Sequence, residues 1–389
     1  MADLTELDFW LWLSLKENLG HNKITHLLEI FESPEQIFKA AKKKLAETAG
    51  LSSDEVHILS DKDLTPCARV KEQCRKLGIR ILTYDSPFYP DKLRHIPDPP
   101  YVLYVLSRKR INLNDRPCIA MVGNRLMTEY GRCAAMDIAK GLAAAGVVVV
   151  SGMARGIDGA SHSGALSAGG ITVAVLGCGL DIAYPPEHSE MMEAISINGM
   201  VLSEYPPGTP PLPQNFPERN RIISGISDGV VVVEAPEKSG ALITANYALQ
   251  QGRDVFAVPG DITRGHSRGT NSLIRQGAVL VASAIDVLSE YEDVYINTLK
   301  QCINNSEEEY KEEKEPDSAA FAPLTDARYD GLSETARNIL TRLSLDPVHF
   351  ENLLNATSLS ADELSSELTM LEIGGFVKTL PGKNFILNV

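Results

Sequence analysis

From residue 118 to residue 291 the chain repeats one unit, a short apolar run followed by a stretch with helical periodicity. The runs are 118–122, 147–151, 172–176, 200–203, 230–233, 254–258 and 279–281. Runs of roughly five residues are too short for buried helices and suit strands covered on both faces. Between them, helices are predicted at 128–145, 158–168, 187–197, 216–226, 242–251, 271–276 and 284–291. Strands joined through helices run parallel, because each crossover returns the chain to the same end of the sheet. The pattern therefore predicts an α/β fold built on a doubly wound parallel sheet. Such sheets bind ligands beyond the carboxyl ends of their strands, where loops enter helix N-termini.

The flanks read differently. Residues 1–65 predict short helices, with Trp10, Leu11, Leu13, Leu15 and Leu19 in one and Ile24, Leu27, Leu28, Ile30 and Phe31 forming a stripe on another. Ser33-Pro34 marks a helix start, serine as N-cap and proline in the first turn. The spacing fits a helix-hairpin-helix or SAM-like module, and equally a small packing domain. Residues 66–296 form the sheet domain; they open with strand candidates at 79–84 and 101–106, separated by a proline-rich segment. Residues 297–328 predict an acidic linker, too poor in apolar residues to fold alone. Residues 329–389 predict a winged-helix-like domain, with helices at 333–343, 348–355 and 361–373 and a two-stranded wing at 375–379 and 384–387. The supposed recognition helix carries Asp362, Glu363, Glu367 and Glu372 and no Arg or Lys. Such a face repels phosphates, so packing or protein contact is its expected role.

The formal net charge is −14, which argues against coating nucleic acid by bulk charge. Much of the acidity sits at one end, where residues 301–389 hold 16 acidic and 7 basic side chains. Any anion site in the middle must be local. No apolar run reaches the roughly 18 residues of a membrane span, and Met1-Ala2-Asp3-Leu4 lacks the basic start of a signal peptide. The six cysteines show no CxxC or Cys/His pairing, so neither disulfides nor a metal is expected, and Cys118 and Cys178 read as small core residues. The expected compartment is the cytoplasm.

Candidate ligand loops follow several strands. Gly123-Asn124-Arg125 offers a tight turn, amide donors and a guanidinium suited to phosphate; the alternative is a plain turn with an exposed arginine. The loop from Ser151 to Asp158 contains Arg155 and is glycine-rich, but it is not GxGxxG, and no GxxxxGK[ST] occurs anywhere. Asp158 and His162 stand at i and i+4, a spacing for an acid/base pair or for a plain helix-surface contact. The run from Asn215 to Gly225 places Phe216, Arg219 and Arg221 at a helix start. Phe216 suits a stacked base or a core position. The two arginines point about 200° apart on a straight helix. Arg219 is expected to face the ligand, with Arg221 held by Glu234 or another acid. Lys238, Ser239 and Gly240 precede a further helix, another terminus ready for an anion. Pro259-Gly260 leads into a loop carrying Arg264, His266 and Arg268, either a flap or a surface hairpin.

In order along residues 79–290 the chain carries Tyr89-Pro90-x-x-Leu93, Val122-Gly123-Asn124-Arg125, Ser151-Gly152-Met153-Ala154-Arg155-Gly156-Ile157-Asp158 and Leu176-Gly177-Cys178-Gly179. Next come Tyr184-Pro185, Ser203-Glu204-Tyr205-Pro206, Asn215-Phe216-Pro217-x-Arg219-Asn220-Arg221-Ile222-Ile223, Ser239-Gly240-x-Leu-x-Thr244-Ala245, Val258-Pro259-Gly260 and Gly269-Thr270-Asn271-x-Leu273-Ile274-x-x-Gly277-Ala278. This combination resembles the DNA-processing protein A family (DprA, also called Smf). The resemblance implies a Rossmann-like domain that binds single-stranded DNA without sequence preference, no enzymatic activity and no cofactor. It also implies a homodimer that loads the RecA recombinase during natural transformation. Carried over by motif, the DNA-binding candidates are Arg125, Phe216, Arg219, Ser239 and Gly240, with Gly123, Asn124, Lys238 and Arg155 beside them. The family commonly has Gly-Ser-Arg where this chain has Gly123-Asn124-Arg125, and asparagine is expected still to donate to phosphate. A more distant resemblance links the domain to LOG-type nucleoside-monophosphate phosphoribohydrolases. The corresponding loop here, 235–244, lacks part of their glycine pattern and their glutamate.

Overall fold

The computed structural model describes residues 4–16, 19–48, 50–291, 332–343, 348–357, 359–380 and 384–387. The expected linker at 297–328 and the wing turn Pro381-Gly382-Lys383 lie outside the described residues. The chain divides into two compact units, Met1–Ser306 and Glu307–Val389.

Nine described strands form the sheet of the larger unit: β1 (Arg80–Thr83), β2 (Val102–Leu106), β3 (Cys118–Val122), β4 (Val148–Ser151), β5 (Thr172–Leu176), β6 (Met200–Ser203), β7 (Gly229–Val232), β8 (Asp254–Ala257) and β9 (Val279–Leu280). Their spatial order is β1-β2-β6-β5-β4-β3-β7-β8-β9. Neighbours from β6 to β9 are parallel, whereas β1 and β2 add an antiparallel edge. Alternate residues of one strand enter different cores. Cys118, Ala120 and Val122 pack on one face, and Ile119 and Met121 on the other. Both faces are therefore dry, which is why the strands read as unbroken apolar runs.

The order reverses at β3. The chain lays down β3, β4, β5 and β6 in one direction through helices α8 (Glu129–Ala144), α9 (Ile157–Ser167) and α10 (Ser189–Asn198). It then returns through α11 (Asn215–Ile226) to place β7 on the other side of β3. Helix α12 (Gly240–Gln250) joins β7 to β8, and α13 (Arg268–Arg275) and α14 (Ala284–Ser289) flank β9. The crevice between the carboxyl ends of β3 and β7 is the switch point of the sheet.

Six helices precede the sheet: α1 (Glu6–Ser14), α2 (His21–Phe31), α3 (Pro34–Lys39), α4 (Lys42–Glu47), α5 (Ser53–Ser60) and α6 (Thr65–Leu77). The Ser33 hydroxyl caps α3 by accepting from Gln36 N at 3.2 Å. In α1, Trp10, Leu11, Trp12 and Leu13 are all buried, so this helix is surrounded rather than amphipathic. Trp10 stacks on Tyr101 at 5.7 Å and donates its indole N–H to Asp85 at 2.9 Å. One core runs from these helices through Tyr104 to Leu176 and Val201. Between β1 and β2, the short helix α7 (Asp91–Arg94) follows Tyr89, which is fully buried and donates its hydroxyl to Pro100 O at 2.6 Å. The Tyr89-Pro90-x-x-Leu93 motif thus pins the proline-rich crossing.

The smaller unit has helices Glu334–Leu340, Phe350–Thr357 and Ala361–Ile373 beside a three-stranded antiparallel sheet: β10 (Val348–His349), β11 (Val377–Leu380) and β12 (Asn384–Leu387). Its core holds Leu340, Leu353, Leu364, Leu368 and Leu371. This is the winged-helix plan. The helix expected from 348 begins instead as strand, because Val348 pairs with Phe385 of the wing. Among the described residues, no helix is long and apolar enough to cross a membrane.

Candidate nucleic-acid interface

An open cavity of about 560 Å³ lies at the switch point. Four loop segments build it: the end of β3 with Gly123, Asn124, Arg125 and Leu126; the loop after β4 with Ala154 and Asp158; the start of α11; and the loop from β7 into α12. Each is forced close to the next. A Cβ on Gly123 would sit 2.5 Å from Ile157 Cγ1, and one on Gly156, whose φ is +76°, would sit 2.2 Å from Asn124 O. Neither position has room for another residue.

Glu234, two residues past the end of β7, shapes the Asn124 turn. It is 1% exposed. Its backbone carbonyl accepts from Asn124 N at 2.7 Å. Its carboxylate accepts from Asn124 Nδ2 at 3.1 Å, from Thr128 N at 3.2 Å and from the Thr128 hydroxyl. Asn124 Nδ2 also donates to Leu126 O, and Asn124 Oδ1 accepts from Leu126 N at 3.2 Å. Both amide hydrogens of Asn124 are therefore used inside the turn, and this side chain shapes the loop rather than donating into the cavity. The bonds leave Arg125 outermost. It is exposed, with its guanidinium 5.7 Å from the centre of the Phe216 ring.

Phe216 is half-buried and lies 5.3 Å from the Tyr184 ring. The start of its helix is held by Asn215 Nδ2, which donates to Gly177 O at 3.0 Å. Opposite stands the N-terminus of α12. Ser239 caps it, its hydroxyl accepting from Ala241 N at 3.3 Å, with Lys238 exposed beside it. Among the described residues no carboxylate forms an ion pair with Arg125 or Lys238. Two uncommitted cations, a ring and a helix N-terminus thus face one cavity, which suits a phosphate chain with a flat group attached.

Arg219, expected to face the ligand, does line the cavity, but it does so as a buried group. Arg219 is only 4% exposed. Its Nη1 donates to Gly152 O at 2.7 Å and to Val175 O, and the guanidinium lies 6.0 Å from the Phe216 ring. Its planar group presses on the backbone, so that a Cβ on Gly152 would meet Nη2 at 2.6 Å. Burial lowers its pKa to about 10, against the opposing pull of Asp158. Arg219 lines the cavity as part of its floor and ties α11 to β4 and β5. Arg221 is buried as well, and its acid is Glu204 rather than Glu234, both carboxylate oxygens lying at 2.7 Å. It also reaches His21 Nε2 at 3.1 Å, which links α11 to α2. Arg155 is exposed but bonded to Glu187, away from the cavity lining.

Asp158 and His162 do not pair. Asp158 is buried and accepts from Ala154 N at 3.3 Å, and burial raises its pKa. His162 Nδ1 bonds Thr172 Oγ1 at 2.7 Å, while that hydroxyl donates to Val149 O at 2.7 Å. The hydroxyl must then accept, so the proton sits on Nδ1 of a neutral ring. Burial pushes the His162 pKa down to about 3.

Several contributors carry little sequence signal. Tyr184, from the loop after β5, also lines the cavity, as do Pro211 and Pro213 ahead of α11 and Ile243 in the first turn of α12. Glu234 has a stronger one, a carboxylate placed at the very end of an apolar strand, where only a polar network beyond the sheet accommodates it.

Residues 80–292 match the family described as DNA recombination-mediator protein A, and residues 323–383 match the DprA winged helix domain. The chain belongs to the DNA recombination-mediator protein A family. A Synechocystis protein named Smf is 35% identical over 98% of this chain and 98% of its own length. The crystal structure of DNA processing protein A from Streptococcus pneumoniae superposes with a TM-score of 0.65 at 36% identity, covering 74% of this chain and 98% of that one. A DNA processing protein A from Helicobacter pylori, described for its single-stranded DNA binding mode, gives a TM-score of 0.50 at 29% identity over 56% of this chain and 97% of that one. DNA processing in recombination is therefore the setting to which this chain belongs.

Proposed function

We propose that the cavity between β3 and β7 binds single-stranded DNA without sequence preference. The observation that carries this reading is the exposed, unpaired Arg125 poised over the Phe216 ring and facing the α12 N-terminus. The guanidinium and helix amides take phosphates, and the ring takes a base. Asn124 offers base edges no donor, because its amide is consumed in its own turn. In this reading the protein acts in the cytoplasm as a homodimer, protects incoming strands and hands them to the RecA recombinase. The Helicobacter pylori relative supports the DNA part, and the resemblance supports the rest.

The proposed role is binding rather than catalysis. Asp158 is the one carboxylate lining the cavity among the described residues, whereas glycoside hydrolysis ordinarily uses two. Incubation with AMP tests this, since adenine release at turnover rates would overturn it. The binding reading is tested by fluorescence anisotropy on single- and double-stranded oligonucleotides across a salt series. Three or four phosphate contacts give a slope of log K against log salt of about −2 to −3. A flat response, or tighter binding to duplex, contradicts it.

A further inference from the structure

At the other end of the sheet two further cavities meet. One, of about 350 Å³, is an apolar groove walled by Leu82 of β1, Leu103 and Val105 of β2 and Leu202 of β6. The second, of about 560 Å³, is lined by Lys109, Arg110 and Arg116. Arg110 and Ile111 belong to both, so the two form one continuous surface. Pro117, Gly146 and Ile171 in the second cavity precede β3, β4 and β5, which puts this surface at the amino ends of the strands, opposite the β3/β7 crevice.

One carboxylate, Asp115, shares the second cavity with the three cations, so the surface keeps an excess of positive charge. Arg108 pairs with Glu193 at 3.3 Å, and Asp115 accepts from Asn112 at 2.7 Å. Among the described residues no carboxylate forms an ion pair with Lys109, Arg110 or Arg116, all three exposed in a chain of charge −14. At the groove mouth Arg80 is held by its Nη2, which donates to Lys109 O at 3.0 Å, while its buried Nε has no acceptor. Burial, first, and the charge of Arg110 lower the Arg80 pKa.

We propose that this surface docks an acidic peptide segment of a partner protein, with a large apolar side chain in the groove and adjacent carboxylates on Arg110, Lys109 and Arg116. Charge complementarity selects an anionic ligand. The groove favours a peptide, because its wall of Leu82, Leu103, Val105, Met200 and Leu202 suits an apolar side chain. Since the two sites lie at opposite ends of the sheet, a peptide and a DNA strand bind together.

The test uses the full chain and a fluorescein-labelled peptide of four acidic residues followed by Leu-Phe. Saturable binding is expected, and a peptide with amides in place of the carboxylates should not bind. The double variant Lys109→Glu/Arg110→Glu changes two exposed side chains. It should weaken binding by at least about tenfold at unchanged Tm and unchanged affinity for an oligo-dT strand. Absence of saturable binding, or equal affinity in the variant, overturns the proposal. Displacement of the peptide by oligo-dT overturns it in favour of a nucleic-acid surface. A variant that only changes sedimentation behaviour overturns it in favour of an interface between copies of the chain.

Discussion

Arg125 and Arg219 lie on one cavity, yet their surroundings assign them different work. Arg125 is exposed and unpaired, so Arg125→Ala should leave Tm unchanged and weaken binding to all single-stranded sequences alike. The salt slope, read by anisotropy, should become shallower by about 0.7, the share of one neutralised phosphate on a single strand. Strong base selectivity in the weakening would contradict a phosphate contact. Arg219→Ala removes a buried cation from two backbone carbonyls and from Asp158. A destabilisation of about 3–5 kcal/mol is expected in urea unfolding, with DNA affinity following stability; a variant of native stability that fails to bind would make Arg219 a direct contact instead. Phe216→Ala should cost about 1–3 kcal/mol of binding, and an abasic oligonucleotide should bind variant and parent equally. His162 supplies a pH signature. The folded ring stays neutral down to about pH 3, whereas the unfolded chain takes up the proton near the ordinary value of 6.5. Stability is therefore full above 6.5 and declines as the pH falls from 6.5 towards 3, by a total on the order of 4 kcal/mol. A Tm series in His162→Asn should show a shallower acid decline, and an identical one would sink the assignment.

The turn after β3 owes its shape to one side chain on another loop. Glu234 receives the Asn124 amide and the Thr128 N–H and hydroxyl. Glu234→Ala should unlock residues 124–128, which hydrogen exchange at Thr128 reports, and weaken DNA binding at least about tenfold although Glu234 touches no ligand. Unchanged exchange would contradict this. The periodicity of α11 was legible in the sequence, and so was the divergence of its two arginines. Which partner each one met was not, because Gly152, Val175 and Glu204 are brought there by strands β4, β5 and β6. Helix α6 was not among the expected helices, although Cys67, Val70 and Cys74 recur at helical spacing and Gly78 closes it in the left-handed region.

The two proposed sites lie at opposite ends of a single sheet in the larger unit. Placing β7 beside β3 gathers loops separated by more than a hundred residues into one crevice. That convergence lets an acidic chain offer a local anion site. Strand composition, helix periodicity and glycine spacing were enough to determine the α/β class, most strand boundaries, the winged-helix plan and the loops that line the cavity, since these depend on burial period and backbone freedom within a few residues. The tertiary structure alone decided which cations stay free. A guanidinium becomes scaffold or ligand contact according to the carbonyls and carboxylates that distant strands bring to it, and sequence spacing does not encode those partners.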